Sequence, residues 1–487
     1  KSEFERITGR LNWNQRLLDD KLKLGLQASI SRVNREQPPV AAGAGFRGDI
    51  LGAAYSANPT WPSSPGFDDG GGQTQPANYL AETQNITNTD RFLINASAEY
   101  DITSEFSAKV NVGYDESSSE NVSVLSANLL NFDGVQGQGA GSFNRLERQN
   151  KTLEATLNYN KAFENSNLDV IVGYAYQDFR TVGRNSFARG FRTTDLNEMG
   201  QALVSTVNEA NATIDGRFQQ FYYGTNTSGL QINRLFPTVT TDEIAYGFER
   251  RVDALSADTF DTTDELQSFF TRLVYSFDNK YIFTGTMRAD GSSRFGPENQ
   301  YGYFPSGSFA WQIGEEDFIG DNVSTLKLRL GAGITGNQDG LGFGNFVARQ
   351  RFAGRGVENN RTVNPNGLNI VAIDVPDLRW EQTLNLNFGI DFGFNNDRFN
   401  GSFDLYRDVT SDVLLQTPPA APSTIPFQFG NVDAEILNQG VELALNYDFI
   451  QTENVTFSTA FNIAYNQNEI QNFAGAINTG EINGPGL

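Results

Sequence analysis

Apolar and polar residues alternate with a period of two along almost the whole chain. Leu384, Leu386, Phe388, Ile390, Phe392 and Phe394 fall on one face, and Asn385, Asn387, Gly389, Asp391 and Gly393 on the other. Leu326, Leu328, Leu330, Ala332 and Ile334 oppose Lys327, Arg329, Gly331 and Gly333 in the same way. Further apolar rows are Leu22–Leu24–Leu26–Ala28–Ile30, Val441–Leu443–Leu445–Tyr447–Phe449 and Val455–Phe457–Thr459–Phe461–Ile463–Tyr465. Successive strand side chains point to opposite faces, so each stretch predicts a strand with one apolar and one polar side. About 14 such segments of roughly 9–14 residues occur, the length that crosses a bilayer at a tilt. Strands of soluble sandwiches are nearer five or six residues.

The connections sort by length. Short ones lie near Leu17–Lys21, Thr103–Glu105, Glu164–Asn167, Asp278–Asn279, Asn395–Arg398 and Ile450–Asn454, with Glu315–Asp321 slightly longer. Long ones run about Glu36–Asp90, Glu116–Asn150, Thr181–Glu265, Gly336–Arg379 and Thr410–Asn438. Short turns on one rim and long loops on the other are the outer-membrane barrel pattern. The expected fold is therefore all-β: a transmembrane antiparallel β-barrel in one domain over 1–487, with 181–265 as a long extracellular loop region. Tyr100, Tyr114, Tyr159, Tyr275, Phe277, Tyr281, Phe394, Tyr447 and Phe449 cluster at strand ends, as an interfacial girdle would. Ordinary strand-end packing is the lesser alternative, since many of these rings lie beside the short turns.

The loop 181–265 carries helical spacing at Leu196, Met199, Leu203 and Val207, with Asp195 and Glu198 placed as a capping pair. Ile244, Phe248, Val252 and Leu255 repeat that spacing. Phe218, Phe221, Tyr222 and Tyr223 are substrate-contact candidates, because flat rings stack on sugars or pack on peptides. Equally, those rings serve only to hold the loop together.

Composition narrows the chemistry. The 487 residues include 36 Lys+Arg, 58 Asp+Glu, no His and no Cys, for a formal charge of −22. Without His or Cys there is no Ser-His-Asp triad, thiol nucleophile, disulfide or His/Cys zinc site, and no cofactor or metal is expected. So negative a chain repels phosphate backbones, which argues against nucleic-acid binding. Mean hydropathy is −0.42, and no run reaches the roughly 18 apolar residues of a membrane helix. A barrel is compatible with both facts, since only alternate residues meet lipid.

Several motifs invite sharper readings. Gly331-Ala332-Gly333-Ile334-Thr335-Gly336 matches GxGxxG, but the following Asn337-Gln338-Asp339-Gly340 reads as a loop where a dinucleotide site needs a helix. These glycines are expected to be small, lumen-facing residues at a strand end. Glu315-Glu316-Asp317 suggests a glycosidase-like acid pair, yet adjacent acids on a short connection more often form a solvated turn. Asp68-Asp69-Gly70 resembles part of a calcium loop without its further spaced ligands, and reads as a Gly-rich turn.

From Leu266 onward the chain resembles the SusC/RagA-like group of TonB-dependent outer-membrane transporters. The resemblance is carried by Leu266-Gln267-Ser268-Phe269-Phe270-Thr271-Arg272-Leu273, Asp290-Gly291-Ser292-Ser293-Arg294-Phe295-Gly296-Pro297 and Tyr303-Phe304-Pro305-Ser306. It continues through Gly333-Ile334-Thr335-Gly336-Asn337-Gln338, Pro376-Asp377-Leu378-Arg379-Trp380-Glu381, Tyr406-Arg407-Asp408-Val409-Thr410-Ser411-Asp412 and Asn438-Gln439-Gly440-Val441-Glu442-Leu443. Physically, Asp290-Gly291 and Phe295-Gly296-Pro297 are turn chemistry at a strand end, with Arg294 able to pair with an acid. Gly336, Asn337, Arg379, Trp380, Glu381 and Gly440 likewise read as elements that hold the fold.

The resemblance implies a barrel of about 22 strands around an N-terminal plug with a TonB-contacting box. The chain shows no plug-like segment, and an unclosed barrel would leave unpaired backbone in lipid. The expectation is thus an incomplete barrel, lacking plug, TonB box and last strands. By resemblance the function is TonB-dependent import of a nutrient, oligosaccharide or peptide, across the outer membrane of a Gram-negative bacterium. Implied partners are a SusD-like surface lipoprotein lid, TonB through the missing N-terminal region, and outer-membrane lipid or lipopolysaccharide. Two other functions fit the pattern: a passive porin-like channel, or a secreted all-β glycan-binding or adhesin protein. No enzymatic activity is expected.

Overall fold

In hydrocarbon a backbone amide has no water to turn to, so a sheet that crosses it must pair strand to strand. The computed structural model shows such a wall. It describes residues 2–38, 50–68, 70–72, 75–132, 135–212, 220–224, 231–233, 249–339, 341, 351–353, 369–372, 375–417, 428–452 and 455–472. The first half runs β1 (Glu3–Leu17), β2 (Leu22–Glu36), α1 (Ile50–Ser56), α2 (Pro76–Ala81), β3 (Thr83–Asp101), β4 (Phe106–Leu125), β5 (Ala140–Ala162), β6 (Ser166–Phe191) and α3 (Leu196–Ala212). Then come β7 (Gln220–Tyr223), β8 (Gln231–Asn233), β9 (Val252–Phe277), β10 (Tyr281–Ser292), β11 (Tyr301–Gln312), β12 (Val323–Asn337), β13 (Arg351–Ala353) and β14 (Asn369–Ala372). The chain ends with β15 (Glu381–Phe394), β16 (Phe399–Ser411), β17 (Val413–Thr417), β18 (Gln428–Val432), β19 (Glu435–Gln451) and β20 (Thr456–Gln471).

Among the described residues the wall is a single antiparallel path, β1-β2-β3-β4-β5-β6-β9-β10-β11-β12-β15-β16-β19-β20. That is the count of 14 expected from the alternation. The short turns are tight because their residues adopt left-handed backbone: Asp19 and Asp20, Asp278 and Asn279, and Asn395 to Asp397 all have positive φ. Asn and Asp tolerate that region best among residues with a Cβ, and the resulting twist matches the strands they join.

Register aligns the faces across strands. Phe283, Phe309, Leu330, Phe388, Leu405, Val441 and Tyr465 form one row from β10 to β20. The row beside it, Ser308, Gly331, Asn387, Tyr406, Gly440 and Asn466, faces the opposite side. The first is the lipid face and the second the lumen. The glycines of 331–336 stand in β12, with Gly331 and Gly333 on the lumen side as expected, but Gly336 falls on the opposite face with Ile334, because successive strand residues alternate and it lies an odd number of positions from the other two.

The ladder outlasts the alternation. The connection placed at 116–150 shrinks to 126–139, because β4 reaches Leu125 and β5 starts at Ala140. The loop region placed at 181–265 contracts to 192–251 for the same reason. The lipid face stops being apolar where Arg32 meets Asp90 (2.7 Å), Lys151 meets Asp178 (3.6 Å) and Arg180 meets Asp261 (2.7 Å). Beyond that border both faces touch water. The strands continue, but the sequence no longer marks them.

The extension above the border is layered. α3 lies on the lipid-side face of β4, β5, β6 and β9, burying Leu203, Val207 and Ala210 against Phe143, Ala188 and Leu255. Its first turn is capped as expected: Glu198 donates its backbone N–H to Asp195 Oδ1 at 2.9 Å, and Thr193 donates to Glu198 Oε2 at 2.7 Å. On the lumen side, α1 and α2 pack Ala53 and Tyr79 against Leu129, Val135 and Ala140. The helix expected from the spacing Ile244–Leu255 is overturned at its C-terminal half. Val252 and Leu255 belong to β9, paired with Phe191 and Ala188 of β6. Ile244 and Phe248 lie outside the described residues.

Candidate functional site

Several charges of the lumen face are held in place by partners on neighbouring strands. Arg329 on β12 donates from Nε and Nη2 to both oxygens of Asp391 on β15 at 2.9 and 2.7 Å. It also reaches Asp404 on β16 at 2.8 Å. The guanidinium crosses Gly389 to do so, for a Cβ there would lie 2.7 Å from Arg329 Cζ and 2.5 Å from Asp404 Oδ1. One cation thus clamps two acids over three strands. Lys23 is bracketed by Glu99 at 2.8 Å and Asp101 at 3.3 Å, and Arg91 pairs with Asp115 at 2.6 Å. Arg288 donates to Asp290 at 2.7 Å and to Ser268 at 2.7 Å. Among the described residues no group of three or more acids converges to suit a cation.

Most of the family-motif residues, scattered over the sequence, meet at the outer rim, while Gly440 lies within the wall, paired with Tyr406. Phe295, Phe304, Leu341, Leu378, Trp380 and Leu414 form one buried cluster. Trp380 packs its ring 4.9 Å from Phe295 and edge-on 5.6 Å from Phe304, and its Nε1 donates to the Gln300 carbonyl at 3.0 Å. Gly296 and Gly336 are close-approach sites: a Cβ would lie 2.2 Å from the Pro376 carbonyl oxygen and 2.1 Å from the Phe304 ring, respectively. Glu381 accepts from Asn337 Nδ2 at 2.9 Å and from the Leu414 backbone N–H at 3.0 Å. Gly440 makes room for the Tyr406 ring beside it. Arg294 finds its acid in Asp264 at 3.1 Å, both side chains largely buried. Asp290 and Gly291 stand at the end of β10, paired with Gly302 and Tyr301 of β11, and Pro297 lies in the turn between these strands.

The four aromatic candidates part company. Phe221 and Tyr223 are buried in the α3 cluster. Burial pushes the Tyr223 phenol up to about 12, and its hydroxyl donates to the Val252 carbonyl at 3.2 Å. Tyr222 alone of the described three is open, at 44 % exposure. Phe218 lies outside the described residues.

Two acids of the remaining motifs, Glu316 and Asp68, are structural. Glu316 accepts from Tyr281 Oη at 2.6 Å, Trp311 Nε1 at 3.0 Å and Lys280 Nζ at 3.2 Å. The hydrogen bonds from Tyr281 and then Trp311 hold its carboxyl below the ordinary range. Sequence placed this residue in a charged turn and missed the anchor; the facing Tyr281 and Trp311 appear only once β10 and β11 pair. Asp68 accepts from the Gly70 N–H at 2.9 Å and from Asn131 at 3.2 Å, which lowers its pKa and closes the expected turn. The Arg329 clamp was also missed. Its only sequence signal, Arg329 and Asp391 both on polar faces, needs the register before it means anything.

A family model described as "TonB dependent receptor-like, beta-barrel" matches residues 121–485. TonB-dependent receptor SusC of Bacteroides thetaiotaomicron is 39% identical over 221 residues, 44% of this chain and 22% of that protein. TonB-dependent receptor P3 of Formosa agariphila is 26% identical over 465 residues, 92% of this chain and 41% of that protein. The solved RagAB peptide transporter superposes with a TM-score of 0.73 at 21% identity, over 97% of this chain and 48% of that one; at that identity the likeness is one of fold. The chain therefore spans less than half the length of these relatives.

Proposed function

The chain belongs to the TonB-dependent receptor-like β-barrel family of the outer membrane, and from that premise we propose that it forms the wall of an active nutrient importer. The observation that carries this reading is the lumen face itself. It carries polar residues from β1 to β20, several of its charges are clamped in pairs, and it opens towards a rim of long connections that include α1, α2 and α3. A substrate of many hydroxyl or amide groups suits such a surface, which places oligosaccharide and peptide first. RagAB, the similar structure, is a peptide transporter, and the SusC likeness adds a SusD-like surface lipoprotein as the proposed lid over the rim.

Among the described residues β1 and β20 do not pair with each other, so each leaves an unmatched backbone edge. In lipid each unpaired group costs several kcal/mol. Further strands of the same protein therefore complete the wall, a plug fills it, and TonB engages the protein through its N-terminal region. Tyr222 is the aromatic best placed to touch cargo at the rim.

Uptake of labelled maltooligosaccharide and of labelled oligopeptide by cells carrying the full-length protein tests this. Accumulation of either should collapse when TonB is deleted or the proton gradient is discharged. Uptake indifferent to both would identify a passive channel instead.

A further inference from the structure

The lipid face of the wall carries a groove that no side chain fills. It lies between the row Gly307–Ala332–Leu386–Arg407 and the row running from Phe309 to Leu405, with a volume of about 530 Å³. Both rows belong to the apolar face, and the residues between them supply only backbone to the floor because their side chains point to the lumen.

Two features set it apart from ordinary lipid-facing wall. The first is its glycines. A Cβ on Gly173 or Gly336 would collide at 2.1 Å with the ring of Phe270 or Phe304, so packing requires those glycines. Gly285, next along the groove row from Gly307, would meet nothing within 4 Å, and Gly307 only the Thr284 carbonyl at 3.8 Å. Among the described residues no neighbour accounts for their small size. They hold open a space that faces outward.

The second is Arg407. β16 starts at Phe399 at the short-turn end. With about 3.3 Å per residue and a tilt near 40°, Arg407 lies roughly 20 Å up an apolar band about 25 Å tall. Three other cations near this border are matched, Arg32 by Asp90, Lys151 by Asp178 and Arg180 by Asp261. Arg407 stands between Leu386 and Gln439 and makes no ion pair among the described residues. A guanidinium at the edge of hydrocarbon is costly without an anion, and phosphate fits its fork in a bidentate manner.

We propose that the groove holds an acyl chain of a phosphate-bearing lipid of the outer leaflet, with Arg407 binding its phosphate. The proposal rests on the membrane reading of the chain and adds a specific lipid site to it. Native mass spectrometry of the full-length, detergent-purified protein tests it, with bisphosphorylated and dephosphorylated lipid A as probes. The phosphorylated form should bind as one retained copy, and Arg407→Gln should weaken it about tenfold, as loss of a charge-assisted contact predicts. Arg407→Lys should restore most of that loss. Ala332→Leu, which fills the groove and spares the charge, should weaken the same lipid several-fold, and inorganic phosphate should not compete. Equal binding of the two lipid forms, or unchanged binding in both Arg407→Gln and Ala332→Leu, would overturn the site. Heat-modifiable gel migration reports separately on the barrel: a folded wall without the lipid defeats only the groove, whereas no barrel at all defeats the membrane reading beneath it.

Discussion

Two parts of the outer rim perform the same task by different means. Above β10, β11, β12 and β15 the strands end in a cluster of specific fits, where Trp380, Phe295 and Phe304 interlock over Gly296 and Gly336. Above β4, β5, β6 and β9 they end under α3, whose aliphatic stripe lies on a broad apolar patch. The first rim depends on contacts that tolerate no added atom. The second depends on buried area, which many residue combinations provide. The family motifs around Phe295, Phe304, Gly336 and Trp380 meet in the first, and none of them supplies the α3 cluster of the second. A sequence signature therefore records steric exactness rather than burial as such, since the α3 cluster is no less buried.

Substitutions sharpen that contrast. Trp380→Ala should have the largest effect, about 3–5 kcal/mol for a buried aromatic. It should lower the temperature at which the barrel loses its compact migration on a gel. Leu203→Ala in α3 should lose roughly 2–5 kcal/mol from its own cluster. Yet it should leave gel migration unchanged while exposing the loop 192–251 to limited proteolysis. Equal effects of the two on barrel migration would erase the distinction between the rims. Asp195→Ala removes only the cap of α3 and should cost about 1 kcal/mol, read as slightly faster proteolysis at the same loop.

The smallest effect lies at the opposite end of the wall and serves as a control. The folded-state pKa of Glu316 is depressed by Tyr281, Trp311 and Lys280. Its contribution is therefore present above the unfolded value, 4.5 for the free carboxyl, and is lost as pH falls through the lower folded one. Acidification below that value should loosen the turn 313–322, and Glu316→Gln should abolish this pH dependence without altering either rim. Hydrogen exchange of the turn amides at graded pH measures it.

Legibility followed the surroundings of each strand. Below the border, lipid on one side and water on the other constrain alternate residues, so Leu384–Phe394 or Leu22–Ile30 announce a strand and both of its faces. Above the border, 115–124 is strand in the structure, yet Asp115-Glu116-Ser117-Ser118-Ser119-Glu120 reads as loop because neither face is apolar. The helix at Leu196–Ala212 was legible because one side is buried and the other wet. Val252 and Leu255 misled because their spacing of three fits a helix as well as a strand edge that packs beneath one.

The partners of charged residues were not legible at all. That Arg294 would seek an acid followed from its chemistry, but that the acid is Asp264 depends on where β9 passes β10. The Arg329 clamp required three strands in register and a glycine in the gap. By itself the sequence determined how many strands of this chain form the wall and which way most of their side chains face, because a solvent boundary acts on each residue locally. Tertiary structure alone decided how far the ladder rises above that boundary, which side of it α3 covers and which charges meet. Those outcomes belong to pairs of residues far apart in the chain, and only folding brings the members of a pair together.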